Sequence, residues 1–225
     1  MKQKKAHIAI FDTFKTKKNK FTGEAKRQRG IMIHLALEKN PELRTRTSIA
    51  HAIAKNNGIL WQNIYSGIFK DLDEVLIPSG VVKEGGRLPL RRGPKALQLE
   101  GVPFYELTET GILAASSIEE LGNSRIKILE SYFNNMNVSA SSNDVMKKSI
   151  LLLLKTIPSF VIKMISAYIY AYSTGEIDTI IPITIDKFRS VIKEQICIER
   201  EFIESYDVLS QNQKQLLKDF FKTMS

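Results

Sequence analysis

Three breaks cut the chain between Lys26 and Val81 into segments of helical periodicity. They are Asn40-Pro41, Asn56-Asn57-Gly58 and Pro78-Ser79-Gly80. Proline cannot continue a helix, and Asn and Gly tolerate the positive φ that ends one. The first segment, from about Lys26 to Lys39, is rich in Ile31, Met32, Ile33, Leu35 and Leu37. The second, Ser48 to Lys55, has Thr47 or Ser48 as its expected N-cap and Ile49 and Ile53 spaced by four. The third runs from about Leu60 to Leu76. A helix, a short helix, a tight turn and a longer helix follow one another in the order of a helix-turn-helix core.

Beyond the third break, Val81-Val82-Lys83 can pair as a strand with Pro103 to Thr108. The intervening loop is long for a hairpin. It is marked by Gly and Pro, carries Arg87, Arg91, Arg92 and Lys95, and is expected to add a turn of helix over residues 96–100. Phe104-Tyr105-Glu106-Leu107-Thr108-Glu109-Thr110-Gly111 resembles the YxLTxxG segment that ends the wing in winged-helix regulators of the PadR and MarR kind. Arg92-Gly93-Pro94-Lys95 is similar to their wing tip. The resemblance covers roughly residues 26–117. It implies that the aromatic and the leucine lie on the last wing strand and that the threonine starts the next helix.

Further along, a helix is expected from Ile112 to about Asn135, with Gly122 as a break point, and residues 137–143 read as a Ser-rich linker. Helices are then expected over 144–173, 184–206 and 210–223. The fold class that follows is mainly α with a small β-hairpin. Its expected parts are a basic N-terminal arm (1–25), a winged helix-turn-helix domain (26–117), a connecting helix and linker (118–143), and a helical dimerisation or sensing domain (144–225).

Charge locates the function. Residues 1–46 hold 13 Lys and Arg against four Asp and Glu, whereas residues 47–117 balance at seven each and residues 118–225 at 13 each. The whole excess of +9 therefore lies in the first fifth of the chain. A localised positive block is suited to phosphates or an anionic surface. The most apolar stretch, residues 150–172, is interrupted by Lys155, Pro158 and Lys163, so no membrane span is expected. A single cysteine, Cys197, cannot form an internal disulfide and points to a reducing compartment, so a cytoplasmic, nucleoid-associated location is expected.

The third segment has two faces. At 100° per residue, Trp61, Ile64, Tyr65, Ile68, Leu72, Val75 and Leu76 fall within about 120° of arc, a core face. Asn63, Ser66 and Lys70 lie opposite, flanked by Gln62 and Gly67. Such side chains hydrogen-bond base edges and phosphates, and Gly67 would let the backbone approach a duplex closely. The wing arginines suit the minor groove. Arg27 and Arg29, with the lysines of the arm, are expected to add backbone contacts. Asp73 and Glu74 would repel phosphate, which confines the expected contacts to the first three turns.

Catalytic and metal chemistry find little support. His7, His34 and His51 are scattered, and none sits with Cys or a carboxylate at metal-ligand spacing. No cofactor-binding glycine loop or nucleophile elbow occurs. The expected function is thus that of a sequence-specific double-stranded DNA-binding protein, a transcriptional regulator rather than an enzyme. It is expected to act as a homodimer, by analogy with winged-helix regulators, with any small-molecule effector unidentified. Two alternatives compete: a winged-helix protein-interaction module, and an RNA-binding or replication-associated factor using the basic arm.

Overall fold

The computed structural model describes residues 7–17, 20–89, 101–137 and 141–224. The protein is mainly helical with one two-stranded antiparallel sheet. It divides into two compact units, residues 1–183 and 184–225. The first contains α1 (Gly23–Leu37), α2 (Arg46–Asn57), α3 (Gln62–Lys70), β1 (Val82–Leu88), β2 (Val102–Leu107), α4 (Glu109–Ser116), α5 (Ser124–Asn135), α6 (Ser141–Thr156) and α7 (Pro158–Thr174). The second contains α8 (Ile185–Asp207) and α9 (Gln211–Met224).

Threonine side chains cap α1, α2 and α4. Thr22 accepts from the Ala25 amide at α1, Thr45 from Ser48 at α2, and Thr108 from Gly111 at α4. The α2 cap is therefore Thr45, two residues ahead of the expected position. The helix starts earlier because Asn40 and Pro41 open a short 3₁₀ turn, Pro41–Arg44, that delivers Thr45 in an extended conformation. Gly58 closes α2 in the left-handed conformation (φ 64°).

α3 is α-helical only to Lys70, and its continuation over Asp71–Leu76 widens into a π-type turn. Its core face is as the periodicity requires at the inner end: Ile68, Leu72 and Leu76 are fully buried. They pack in a core with Ile31, Met32 and Leu35 of α1 and Ile49 and Ile53 of α2.

β1 and β2 pair from Val82 opposite Leu107 to Leu88 opposite Val102, with an irregularity between Glu84 and Gly86. The first strand thus runs well past the expected Lys83. At the base of the hairpin the Thr108 hydroxyl donates to the Gly80 carbonyl while its amide donates to that of Val81 (3.0 Å). Gly111 lies so near the Val81 carbonyl oxygen that an added methyl would overlap it. The glycine of the YxLTxxG segment is thereby a packing requirement.

One expected break is realised and three expectations are corrected. The break expected at Gly122 within residues 112–135 is present: α4 ends at Ser116, and Gly122 (φ 52°) separates it from α5. Residues 144–173 form two helices, because Pro158 has no amide to donate and starts α7, leaving Ile157 outside helical geometry. The expected arm is packed over part of its length: Ile8, Ala9 and Ile10 are buried, and the Ala9 amide donates to Gln28 Oε1 (2.8 Å). The compact first unit continues beyond residue 143, since α7 packs on α4 and α5 and α6 packs on α5 and α7. α4, with Leu113, Ala114 and Ala115 all at 0% exposure, is apolar on every side and needs neighbours all round.

Tyr168 on α7 is buried and donates to the Ile180 carbonyl (2.9 Å), and burial pushes its hydroxyl up to about 12. Gly111→Ala is expected to lower stability by about 3 kcal/mol, because backbone rather than a movable side chain blocks the methyl. Thermal or urea unfolding would measure this, and a loss under 1 kcal/mol would contradict the tight contact.

Candidate nucleic-acid interface

The outward face of α3 bears Gln62, Asn63, Ser66 and Lys70, all exposed. Each follows from the helical period: of the seven residues on the core face, Ile68, Leu72 and Leu76 are buried and the other four half-buried, so the polar residues between them turn outward. Lys70 lies 3.9 Å from Glu74, an exposed i,i+4 pair of small energetic consequence that leaves its ammonium available.

The acidic residues after α3 are matched by cations one by one. Asp71 is buried, with Arg27 donating from Nε at 2.7 Å and from Nη2 at 3.3 Å. Asp73 is paired with Arg46, whose guanidinium lies over the Phe69 ring (3.9 Å to the centroid). Glu74 meets Lys70. Acidity at this end of the helix is therefore locally compensated, which the linear sequence does not reveal. Burial raises the Asp71 carboxyl above its ordinary range, and the Arg27 hydrogen bonds and charge oppose that rise.

Arg27 and Arg29 are placed differently from the backbone contacts expected of them. Arg29 is 4% exposed. It donates to the Ile10 carbonyl (2.9 Å), forms an ion pair with Glu120 and lies over Phe21 (4.1 Å). Arg27 spans from α1 to Asp71 and passes over Gly67, where a Cβ would come within 2.7 Å of its Nε. Gly67 thus makes room for the half-buried Arg27 side chain, and the expected close approach of a duplex backbone at that residue is corrected. Both guanidiniums turn inward because α1 presents them to carboxylates that the sequence places 44 and 91 residues away.

On the hairpin, Arg87 is engaged with Glu84 on the same strand (2.8 Å), and Lys83 lies 3.9 Å from Glu106. Arg91, Arg92 and Lys95, and the expected helical turn over 96–100, lie outside the described residues. The arm contributes exposed Lys15, Lys17 and Lys20 around an isolated bridge between Thr13 and Phe21. Trp61, expected on the core face, is half-buried: its ring packs against His51 (4.6 Å between centroids) and edge-on to Tyr65 (5.4 Å). His34 hydrogen-bonds the Leu43 carbonyl through Nε2 (2.7 Å), a structural role.

Two functional supports escaped the sequence reading. Arg44, nearly buried, donates to the Glu38 carbonyl from Nε (2.8 Å) and to Glu106 (3.2 Å), tying the end of α1 to β2. Arg46 links the start of α2 to the end of α3 through Asp73 and Phe69. The only sequence signal for either is a cation in the turn before α2, which does not name its partner.

A cavity of about 710 Å³ opens beside the hairpin base. It is lined by Leu35, Ile112, Ile128 and Ile183 on its apolar sides and by Arg44 and Tyr132 at polar positions. Burial raises the Tyr132 hydroxyl, with the nearby Glu109 charge acting in the same direction. Among the described residues no three His, Cys, Asp or Glu side chains gather as a metal site, and no helix is long and apolar enough to cross a membrane.

Two measurements separate structural from surface cations. Arg27→Ala leaves Asp71 buried without its partner and is expected to cost about 3 kcal/mol, whereas Asn63→Ala and Ser66→Ala should stay within about 0.5 kcal/mol of the parent. Chemical unfolding of the three variants makes the comparison, and equal stabilities would refute the inward placement of Arg27. The Glu120 carboxyl provides the pH-dependent case. Burial raises it, but the hydrogen bond and charge of Arg29 prevail and hold it below its ordinary value of 4.5. Its contribution is therefore present above pH 4.5 and lost as pH falls through the lower folded value. Glu120→Gln should accordingly narrow its stability deficit against the parent below that pH, as read from unfolding midpoints across an acid series.

Comparison of the chain with protein-family models, with curated proteins and with solved structures finds no match in any of the three.

Proposed function

We propose that residues 26–117 are a winged helix-turn-helix that binds double-stranded DNA, and that the protein is a transcriptional regulator. α3 would lie in the major groove and the hairpin would reach the adjacent minor groove or backbone. The observation that carries the reading is the pair of faces on α3. Ile68, with Leu72 and Leu76 of its continuation, is buried in the core, while Gln62, Asn63, Ser66 and Lys70 stand exposed on one side with donors and acceptors suited to base edges. Support comes also from the order α1, α2, α3, β1, β2, α4 and from the tight Gly58 turn between α2 and α3. The neutralisation of Asp71, Asp73 and Glu74 by Arg27, Arg46 and Lys70 removes the chief electrostatic objection.

The roles divide by chemistry. Asn63 and Gln62 can pair with adenine in a bidentate manner, Ser66 with several acceptors, and Lys70 with guanine or phosphate. Lys15, Lys17 and Lys20, with Arg87, Arg91, Arg92 and Lys95 of the hairpin loop, would supply sequence-independent attraction. Arg27 and Arg29 hold α1 in place and are left out of the interface. A protein-interaction module is the second reading, favoured by Ile59 and Leu60, which are 46% and 69% exposed in the turn before α3.

Fluorescence anisotropy with duplex DNA from upstream of the protein's own gene, beside a random duplex of equal length, tests the proposal. The upstream duplex should bind more tightly and resist salt better than the random one. Asn63→Ala should cost about 1–3 kcal/mol on the upstream duplex and leave random binding unchanged. Replacing Arg91, Arg92 and Lys95 by Ala should weaken binding to both duplexes and flatten the salt dependence by about 0.9 per lost phosphate contact. No duplex binding at low salt would reject DNA binding in favour of the protein-interaction reading.

A further inference from the structure

The cavity beside the hairpin base has aliphatic walls and a cationic rim. At about 710 Å³ it falls within the roughly 300–1,000 Å³ typical of small-molecule sites. It is lined from the end of α1, the end of β2, α4, α5 and the segment 181–183, all within the first unit. Leu35, Leu107, Ile112, Ile128, Ile181 and Ile183 give it branched aliphatic surface, and Tyr132 is the one aromatic ring among the described lining residues. Walls of this kind hold a flexible aliphatic chain by burial alone. A flat aromatic ligand would gain little from them, since stacking needs ring partners.

Two features give the cavity a polar end. The first is charge. Three lining cations, Lys39, Arg44 and Lys127, stand against two carboxylates, Glu106 and Glu109. Arg44 is committed to the Glu38 carbonyl (2.8 Å) and to Glu106 (3.2 Å), and Lys83 lies 3.9 Å from the same carboxylate. Glu109 stands in the first turn of α4, where the helix dipole favours a negative charge. Lys39 and Lys127 are exposed and have no ion-pair partner among the described residues. Their flexible stems let both ammoniums reach an anion at the mouth, where together they outweigh Glu109.

The second feature is Tyr132 on α5. Its side chain is half-buried, and its hydroxyl has no hydrogen-bond partner among the described residues. A buried tyrosine hydroxyl ordinarily finds one, as that of Tyr168 does at the Ile180 carbonyl. Burial and the Glu109 charge both raise the Tyr132 hydroxyl, so it stays protonated and able to donate.

We propose that this cavity binds a medium-length aliphatic carboxylate. The chain lies against Leu35, Ile112, Ile128 and Ile183, and the carboxylate is held at the rim by Lys39 and Lys127 with Tyr132 donating to it. A cationic head on the same chain would be repelled by the two ammoniums, and a neutral head would leave them uncompensated. The site stands independently of the DNA reading. None of the residues that line it belongs to the set assigned to the duplex, and no DNA enters the measurement.

Isothermal titration calorimetry of the full chain with octanoate below its micellar concentration tests the proposal. Octanoate should bind at one site per chain, with affinity rising about three- to fourfold for each methylene from butanoate to octanoate. Octanol and octylammonium should bind about tenfold more weakly or worse. Lys39→Glu with Lys127→Glu should weaken octanoate by about tenfold or more and remove the preference over octylammonium. The unfolding midpoint of this variant without ligand should match the parent, since both residues are exposed. Tyr132→Phe should weaken octanoate about fivefold and leave ligand-free stability unchanged, because the hydroxyl gives up no partner. Ala36→Phe, which sets a ring into the cavity, should abolish binding of every chain length. Three results would each overturn the proposal: no binding of octanoate, equal binding of octylammonium by the parent, or octanoate binding that the lysine pair and Ala36→Phe leave intact. The last would place the chain on the exposed apolar side chains of α8 and α9 instead.

Discussion

The first unit is organised around a small knot of hydrogen bonds at the hairpin base. The Thr108 hydroxyl accepts from the Gly111 amide and donates to the Gly80 carbonyl, and the Thr108 amide donates to Val81, whose own amide donates to Leu76. Four elements are joined by these few groups: the end of the α3 continuation, the start of β1, the end of β2 and the first turn of α4. Both backbone polar groups of Val81 are satisfied where the residue is fully buried, as an apolar interior demands. Gly111 is what allows the carbonyl of Val81 to come so close. The position of the hairpin relative to α3 is therefore fixed by short-range hydrogen bonding, and the outward polar face of the helix is held at a set angle to the strands.

A second set of constraints uses charge in place of apolar packing. α1 contributes two arginines, the half-buried Arg27 toward the buried Asp71 and the buried Arg29 toward Glu120 and the Ile10 carbonyl. Each arginine has several donors to satisfy, and the fold supplies carboxylates, a carbonyl and an aromatic face to meet them. Removing one partner of such a group costs more than the intact pair contributes, because a buried charge is left without compensation. These interactions fix α1 between the N-terminal segment, the α3 continuation and the turn before α5. They also lower the local acidity beside α3, so one arrangement serves both packing and the electrostatics of the exposed face. Unlike surface lysines, these arginines are poor candidates for meeting phosphate.

Most of the element boundaries were legible because local chemistry sets them. Asn40-Pro41, Gly58 and Pro78 act on the backbone wherever they occur, and the helical period separates inner from outer residues on α3, whereas the break at Pro158 inside the run 144–173 went unread. The face containing Asn63, Ser66 and Lys70 could be identified on that basis alone. The longer reach of β1 could not, since Gly85 and Gly86 carry no strand pattern and are held in the strand by Phe104 and Glu106 across from them. The break within residues 112–135 was legible only as a candidate at Gly122, because a single glycine inside a helical pattern is compatible with both a helix and a break.

What the sequence by itself determined was the local: the helix stops at Asn40-Pro41, Gly58 and Pro78, and the two-faced character of α3. What only the tertiary structure decided was the long-range role of charge. Arg27 and Arg29 look like any basic residues near a positively charged end, and their partners lie 44 and 91 residues away. Periodicity carries no information about which carboxylate a guanidinium will meet, because that choice depends on how helices pack rather than on how each one forms. The same holds for the N-terminal segment, whose Ile8, Ala9 and Ile10 are too short a run to announce themselves as core and become so only where α1 offers Gln28 and Arg29 to their backbone.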